Sequence, residues 1–397
     1  MRFVRICKIF SDVWLFFLRA RFYRILEKDC ECVKNILVIR LDETGDVVLV
    51  SAFLRELRHR FKDSNITLVV RPDSFNLVEL CPYVDKVYAF KERLVYDARL
   101  LNFFKQSKRQ IRALLFAKKY LFKNYYDIAF VPRWDTDYYN ASLLAYYSGA
   151  RYRIGYSSSV DVIKSKLNSG FDLLYTHLCF ESAPKHEALR NLDLLSFFDG
   201  DKANHLDSKL EVWTCKDDYK FLDSIDLKKP VIAFGIGGRE EKKRWPNEFF
   251  CKLGARLVKD YDATIVLLGG KAEMGLVNPL SGVANRFIDL SGVVTWRQTS
   301  ALLSKCDLFI GNNTATLHIA CAVKIPVIEI SCHPSVADDA FYLSPTRFGA
   351  LTKARSATLR PDAGDGDCVN GCVSKVAHCI RKISVDDVFM VAKELLR

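Results

Sequence analysis

The chain has 397 residues, half of them hydrophobic, which is enough for two ordinary domains with sizeable cores. Its formal net charge of +12 at pH 7 indicates an anionic partner without identifying one. The 13 cysteines are scattered along a long chain, which favours a reducing compartment over a disulfide framework. No run approaches the roughly 20 apolar residues of a membrane-spanning helix, and we expect no signal peptide because arginines follow the early apolar run 13–18.

Residues 1–34 form a basic segment in which aromatic and aliphatic side chains are interleaved with arginine and lysine. An amphipathic helix of this composition can lie on an anionic membrane, or it can pack on the first domain. The joint enrichment of aromatic and basic residues favours the membrane interpretation.

The opening βα unit follows this segment. Ile36–Ile39 is predicted to be a buried strand, Gly45 to supply a tight turn, and a helix to begin at Asp46 with apolar spacing. The Asp46 carboxylate lies where a phosphate-binding loop would keep acids away from its ligand. A carboxylate at this position suits a proton acceptor better than a phosphate holder.

Strands 66–70, 86–90 and 127–131 continue an alternation of strands and helices, which predicts a parallel sheet covered on both faces. Between the last two strands, 91–123 is a second segment rich in lysine, arginine and apolar side chains. It fits either a second anionic-surface or acidic-acceptor site, or an ordinary helix with a solvated basic face.

A second α/β series begins after a polar stretch, with strands at 230–234, 263–268, 308–310 and 326–330. Residues 385–396 read as an amphipathic helix. The fold class is therefore α/β, with two doubly wound domains joined between 199 and 229. We divide the chain into a basic segment 1–34, a first domain 35–205, a second domain 206–384 and a terminal helix 385–397.

Open parallel sheets bind ligands beyond the carboxyl ends of their strands, and four loops of this chain lie there. They contain Gly45-Asp46, the run 235–245 with Gly237, Gly238 and Lys243, the run 269–273, and the run 311–316 that leads to His318. A helix N-terminus supplies amide donors for an anion, and Lys243 can neutralise a phosphate. Together the loops of the second domain predict a diphosphate site.

The glycine signatures of P-loop ATPases and of nicotinamide dehydrogenases are absent from these loops. No Asp-x-Asp follows a strand; the nearest match is Asp135-Thr-Asp137 in a loop of the first domain. A divalent metal that bridges a diphosphate is therefore not indicated. Lys243 and helix amides would have to stabilise the leaving charge.

Six ordered motifs carry a resemblance to a known family. They are 36–46 (ILVIRLDETGD), 148–156 (SGARYRIGY), 186–195 (HEALRNLDLL), 243–246 (KRWP), 267–273 (LLGGKAE) and 312–322 (NNTATLHIACA). Over residues 35–393 the chain resembles glycosyltransferase family 9, the heptosyltransferases of lipopolysaccharide assembly and their relatives.

The resemblance implies a glycosyltransferase B architecture, with two facing Rossmann-like domains and the active site in the cleft. It implies an inverting, metal-independent transfer from a nucleotide sugar, usually ADP-heptose, with no cofactor. Asp46 matches the general base, with Thr44 and Gly45 on the acceptor side. Lys243, Glu273, Asn313, Thr314, Ala315 and His318 match donor-binding positions, and Gly237 and Gly238 join them.

The partners so implied are a nucleotide-sugar donor and a lipid-linked or lipopolysaccharide glycan acceptor. The setting is the cytoplasm, with peripheral contact to the anionic inner membrane.

One motif departs from the family, which usually has Asp-Thr-Gly or Asp-Ser-Gly where this chain has Asn313-Thr314-Ala315. The alternatives are a different nucleotide sugar or a degenerate sugar-nucleotide-binding protein. Nucleic-acid binding has only the charge in its favour, and we expect none.

Cys368, Cys372 and Cys379 are the metal-ligand candidates, beside His378. Their spacing differs from paired Cys-x-x-Cys, so structural or free thiols are the favoured interpretation and no metal is assigned. Cys332 could join them if it lies nearby. His186 could contact the acceptor, but a structural histidine at a helix end is favoured.

Overall fold

The computed structural model describes residues 33–91, 110–199, 207–278 and 282–397. Two six-stranded parallel sheets form its framework. The strands are β1 Asn35–Arg40, β2 Asn65–Val70, β3 Lys86–Ala89, β4 Ile128–Val131, β5 Tyr152–Tyr156, β6 His177–Cys179, β7 Val231–Gly235, β8 Thr264–Leu268, β9 Phe287–Asp289, β10 Leu308–Asn312, β11 Val327–Ile330 and β12 Ser356–Leu359. The helices are α1 Thr44–Leu49, α2 Ser51–Arg60, α3 Pro72–Val78, α4 Ala141–Ser148, α5 Val162–Leu167, α6 Glu187–Asp193, α7 Ser196–Asp199, α8 Asn247–Tyr261, α9 Trp296–Leu303, α10 Ala315–Val323, α11 Pro345–Phe348 and α12 Val385–Leu395.

Both sheets have the same strand order. It is β3-β2-β1-β4-β5-β6 in the first and β9-β8-β7-β10-β11-β12 in the second. The order reverses direction between β1 and β4, and again between β7 and β10, which is where a doubly wound sheet opens a crevice for a ligand. The loops after these four strands are thereby brought to the same region. The predicted pair of Rossmann-like units is confirmed.

Side chains alternate between the two faces of each sheet, as the pleat requires. In β1, Ile36 and Val38 belong to one buried core, whereas Leu37 and Ile39 belong to another on the opposite face. The core that contains Ile36 continues through α10, where Leu317 and Ile319 are buried, so it joins the two units. A shared core holds the cleft-forming helices together.

All eight predicted strands are confirmed, and the predicted terminal helix is found as α12; the strands β5, β6, β9 and β12 were not predicted. Two local expectations were wrong. The first helix begins at Thr44, not at Asp46, and Gly45 lies inside it without a positive φ. The helix is also broken in two at Val50, between α1 and α2.

Residues 1–32 lie outside the described residues, so the basic N-terminal segment of the sequence analysis does too. Of the second basic segment, 110–123 is described. It is helical, and Ile111, Leu115 and Phe122 are exposed on it. Within the described ranges, none of the helices combines the length and the apolar composition that a bilayer crossing requires.

Candidate active site

Two adjoining cavities occupy the cleft between the units. The first has a volume of about 500 Å³ and the second about 860 Å³. Arg239, Trp296, Thr314 and Ala315 line both, so the turn between β10 and α10 separates them. The cavities lie at the carboxyl ends of the strands, as expected for this sheet order.

The catalytic, acceptor-side and donor-binding candidates from the sequence all line these cavities. The first cavity is lined by Thr44, Gly45, Asp46, Lys243, Asn313, Thr314, Ala315 and His318, and the second by Gly237, Gly238, Glu273, Thr314 and Ala315. The candidate acceptor-side residues and the candidate donor-side residues thus face each other across one space.

Asp46 lies in the first turn of α1. One of its carboxylate oxygens accepts the backbone N–H of Glu43 at 3.2 Å, which closes a capping box at the helix start. The other oxygen lies 3.2 Å from Nη2 of Arg40. The side chain is held on two sides and still borders the cavity. A carboxylate so oriented is suited to accept a proton from a bound hydroxyl.

Gly45 is required by a close approach between helices of the two units. A methyl group there would lie 2.9 Å from Cδ2 of His318 and 3.6 Å from Cα of Ala315. The first of these distances is too short for any side chain to be added without a shift. The glycine therefore lets α1 touch α10, and the tight-turn explanation from the sequence was wrong.

A buried charge network supports Asp46, and the sequence analysis missed it. The fully buried Arg40 pairs with Asp42 at 2.9 Å, and Arg133 pairs with Asp42 at 3.2 Å. Burial raises the pKa of Asp42 to about 6, although both arginines oppose the rise. Glu187, which is also fully buried, lies 3.9 Å from Arg40. The signal in the sequence was the charged run 40–46 at the end of an apolar strand.

Thr314 and Ala315 begin α10. Thr314 is its N-cap, and the Thr314 hydroxyl contacts the hydroxyl of Thr316 at 3.0 Å. Ala315 is the first helical residue and has no positive φ, so this position needs no glycine. The substitution of alanine for the family's glycine is thus compatible with the backbone. The N-terminus of a nine-residue helix faces both cavities and favours an anion there.

His318 is buried and His186 is half-buried in the cleft region. Burial lowers the pKa of each to about 4, so both rings are neutral at pH 7. His318 therefore shapes the cavity wall without adding positive charge. His186 is the N-cap of α6, where it accepts the N–H of Ala188, and its other nitrogen contacts the carbonyl of Gly349 at 3.1 Å. The predicted helix-end role of His186 is confirmed.

Asn313 is held by a buried acid from the next strand. Its side-chain amide donates to Oε1 of Glu329 at 2.7 Å and to the carbonyl of Phe348 at 2.8 Å. Glu329 is fully buried on β11, and burial raises its pKa although Asn313 opposes the rise. An aspartate here would meet a second carboxylate, so Asn313 and Glu329 fit together. Glu329 was missed, although a lone acid in an apolar strand was a usable signal.

The Asn313→Asp substitution is expected to destabilise the fold by about 1.5–3 kcal/mol, because it replaces a donor to a charged group with a like charge. The two buried carboxyls would hold a proton in the folded state above about pH 4, where unfolded carboxyls are ionised. The loss of stability should therefore grow as pH rises. Urea unfolding at pH 5 and pH 8 measures it.

The double variant Asn313→Asp with Glu329→Gln is the control, since it restores one donor and one charge. It should recover most of the stability lost by Asn313→Asp alone. Equal destabilisation of the single variant at both pH values would show that charge repulsion is not the cause.

Lys243 ends a short 3-10 helix, Glu241–Lys243, in the loop after β7. Its Nζ lies 3.1 Å from Oε1 of Glu240. Asn312 fixes the loop from below, because its side chain accepts the N–H of Trp245 at 2.9 Å and donates to the carbonyl of Gly237 at 2.9 Å. Asn312 is fully buried, and the sequence analysis included it only within the motif 312–322 without assigning it a role. The loop that carries Lys243 is thereby tied to β10.

Glu273 closes the loop after β8. It accepts the N–H of Gly270 at 2.8 Å, and its other oxygen pairs with Arg244 at 3.3 Å. Gly237 lies against this loop: a methyl group on Gly237 would be 3.6 Å from Cα of Gly269. Gly238 accepts a hydrogen bond from Nε of Arg244. These contacts hold together the loop residues that line the second cavity.

Contacts across the cleft were also missed from the sequence. Arg239 of the second unit pairs with Glu43 of the first, and Nε1 of Trp296 donates to the carbonyl of Asp73 at 2.9 Å. A third contact joins Nη2 of the buried Arg347 to Asp135, 2.9 Å away. Asp135 is thus held by an arginine of the opposite unit.

The sequence profile of glycosyltransferase family 9 (heptosyltransferase) matches residues 116–331, more than half of the chain. The chain is 21% identical over 310 residues to lipopolysaccharide core heptosyltransferase OpsX of Haemophilus influenzae, with 76% of this chain and 79% of that protein covered. It is 22% identical over 298 residues to lipopolysaccharide heptosyltransferase 3 of Escherichia coli, with 72% and 79% covered.

Solved structures share the fold. The glycosyltransferase family 9 protein of Veillonella parvula has a TM-score of 0.69 at 20% identity, with 94% of this chain and 99% of that one covered. The ADP-heptose lipopolysaccharide heptosyltransferase II of E. coli has a TM-score of 0.67 at 17% identity, with 91% and 98% covered. The architecture is glycosyltransferase B, and the chain is a glycosyltransferase that belongs to family 9.

Proposed function

We propose that the protein transfers a sugar, a heptose from ADP-heptose, to a lipopolysaccharide core or related surface-glycan acceptor, with inversion and without a metal. The observation that carries this proposal is that Asp46 borders the same cavity as Lys243 and the N-terminus of α10. A base and an anion-binding turn on opposite sides of one space suit direct displacement.

In the proposed reaction, the acceptor hydroxyl oxygen attacks the anomeric carbon while the bond from that carbon to the diphosphate oxygen breaks. Asp46 accepts the hydroxyl proton as the new bond forms. The nucleoside diphosphate leaves with an added negative charge, which Lys243 and the first amides of α10 stabilise. Attack opposite the leaving group inverts the anomeric carbon.

The second cavity is the proposed site of the donor nucleoside. It lies beside the α10 turn, so a diphosphate at Thr314 would direct its nucleoside toward Gly237, Gly238 and Glu273. Glu273 is the proposed partner of the ribose hydroxyls. On this assignment the first domain binds the acceptor and the second binds the donor.

A panel of nucleotide sugars tests the proposal by thermal shift and by turnover with lipopolysaccharide-core acceptors. A selective donor at 100 times its Kd should stabilise the fold by about 2.7 kcal/mol. ADP-heptose is expected to give the largest shift and to be consumed. Turnover with a different nucleotide sugar, and none with ADP-heptose, would reject this donor.

A second candidate is a sugar-nucleotide-binding protein without turnover, and the Asn313 departure motivates it. Asn313 differs in charge from the family's usual aspartate, and its amide is occupied by Glu329. Donor binding by calorimetry, with no product from any acceptor of the panel, would favour this candidate over the transferase.

The acceptor side is proposed to work at an anionic membrane. Ile111, Leu115 and Tyr125 are exposed beside Lys118 and Lys119, and such apolar and basic surfaces bind anionic lipid. Sedimentation with phosphatidylglycerol vesicles should exceed that with phosphatidylcholine vesicles. Equal sedimentation with both would remove the membrane from the proposal.

A further inference from the structure

Three buried cysteines lie close together near the loop after β7 that carries Lys243, which we call the donor-side loop. The sulfur atoms of Cys368, Cys372 and Cys379 all lie within 4.8 Å of one another, and none is in a disulfide. Within the described ranges, these are the only three histidine, cysteine or acidic side chains so grouped. Zinc–sulfur bonds of about 2.3 Å in a tetrahedron place sulfurs about 3.8 Å apart, so the triad is near the spacing of a metal site.

The chain that carries Cys368 and Cys372 has no regular secondary structure. Between β12 and the 3-10 helix Cys379–Lys382, residues 360–378 contain no strand or helix. Val369, Val373 and Val376 are exposed, whereas the cysteines are buried. Segments of this length without regular structure are uncommon in compact domains. The cysteines belong to the buried core that also contains Ile380 and Ile383, so the thiols of this irregular segment face inward and its valines face outward.

A backbone amide donates to one sulfur of the triad. The N–H of Val373 lies 3.4 Å from Sγ of Cys368. Such donors lower the cost of burying a negative sulfur. Metal ligation requires the deprotonated thiol, so the two features agree.

Two further side chains touch the triad and can supply a fourth ligand. Cys332, buried just beyond β11, is hydrogen-bonded to Cys372. Nδ1 of His378 lies 3.4 Å from Sγ of Cys379, and Nε2 of His378 lies 3.7 Å from Asp365. A carboxylate behind the second nitrogen is the usual support of a metal-bound histidine.

We propose that Cys368, Cys372 and Cys379 bind one thiophilic metal ion of the zinc type, with Cys332 or His378 completing the tetrahedron. A tetrahedral, sulfur-rich set selects zinc or iron over magnesium or calcium. The site is structural, because its three core ligands are buried and line neither cleft cavity, although Cys332 borders the first one. The metal takes no part in the proposed sugar-transfer step.

The metal would brace the donor-side loop. The 3-10 helix that begins at Cys379 leads to Ile383, whose carbonyl accepts Nε1 of Trp245 at 2.9 Å. Trp245 lies two residues after Lys243 and is fully buried. Loss of the ion is therefore expected to loosen the loop that carries Lys243.

Elemental analysis of the whole protein, purified without a histidine tag or chelator, tests the proposal. About one equivalent of zinc or iron per chain is expected. Cys372→Ser should lower it to background, while Cys306→Ser, which alters a buried thiol in the other core, should keep it. Cys332→Ser and His378→Ala identify the fourth ligand, since the correct one weakens metal retention.

If Cys372→Ser does not fold, the unsubstituted protein still decides the matter. A mercurial reagent should release the metal together with thiol modification. In a separate sample, whose metal has been removed with a chelator and whose thiols are unmodified, added Co²⁺ should give a sulfur-to-cobalt charge-transfer absorption. Absence of metal, with no such absorption and with the thiols titrating as ordinary buried cysteines, would overturn the proposal. So would full metal content in Cys372→Ser.

Discussion

Asp46→Asn is expected to lower kcat for sugar transfer by about 10²–10⁴-fold, the range for loss of a positioned general base. Asparagine keeps the shape and the acceptor for the Glu43 N–H, but it cannot take up the proton of the attacking hydroxyl. Arg40 retains Asp42 at 2.9 Å, so the fold should survive. Turnover is to be measured under conditions where chemistry limits the rate, with donor binding followed by calorimetry.

Two comparisons sharpen the Asp46 experiment. Asp226→Asn removes an equal charge from an exposed surface pair and should leave kcat unchanged. Asp42→Asn tests the neighbouring carboxylate, whose pKa is raised to about 6 by burial. If Asp46→Asn keeps full activity while Asp42→Asn loses it, the base is Asp42.

Lys243→Met is expected to lower kcat by about 10²–10³-fold, the usual effect of removing one group that stabilises developing charge. The methionine side chain is similar in length but carries no charge to offset the departing diphosphate. Binding of the nucleoside diphosphate product should weaken too, which calorimetry can follow.

Lys242→Met is the matched control for Lys243, because Lys242 belongs to the same 3-10 helix but is bonded to Tyr342 at 2.6 Å and lines neither of the two cleft cavities. We expect it to lower stability more than kcat. Equal loss of kcat in both variants would mean that the charge of the loop, not the position of Lys243, is what matters.

The parts of the fold that the sequence predicted are those with strong local patterns. The continuous apolar runs that became β1 and β8 were recognised because both faces of each strand are buried. The strands β6 and β9 were missed because each has three residues, mixed in polarity, at the edge of a sheet. Short edge strands depend on a neighbour for their conformation, and a local window does not contain that neighbour.

The same distinction between local patterns and distant partners applies to the candidate site. Asp46 and Thr314 were found because each directly follows a recognisable strand. Arg347 was not, because it reaches Asp135 across 212 residues of sequence and no motif links them. Pairing of distant charges is a property of the folded arrangement, and a single sequence carries no record of it.

The contact between Gly45 and His318 has a mechanical consequence. It joins α1 to α10 beside the buried His318, whereas the Arg239–Glu43 and Trp296–Asp73 contacts join more exposed residues. We expect any opening of the two halves to pivot about this buried contact. Asp46 directly follows Gly45. The more exposed contacts can therefore separate to admit donor and acceptor while the proposed base stays nearly fixed relative to the α10 turn.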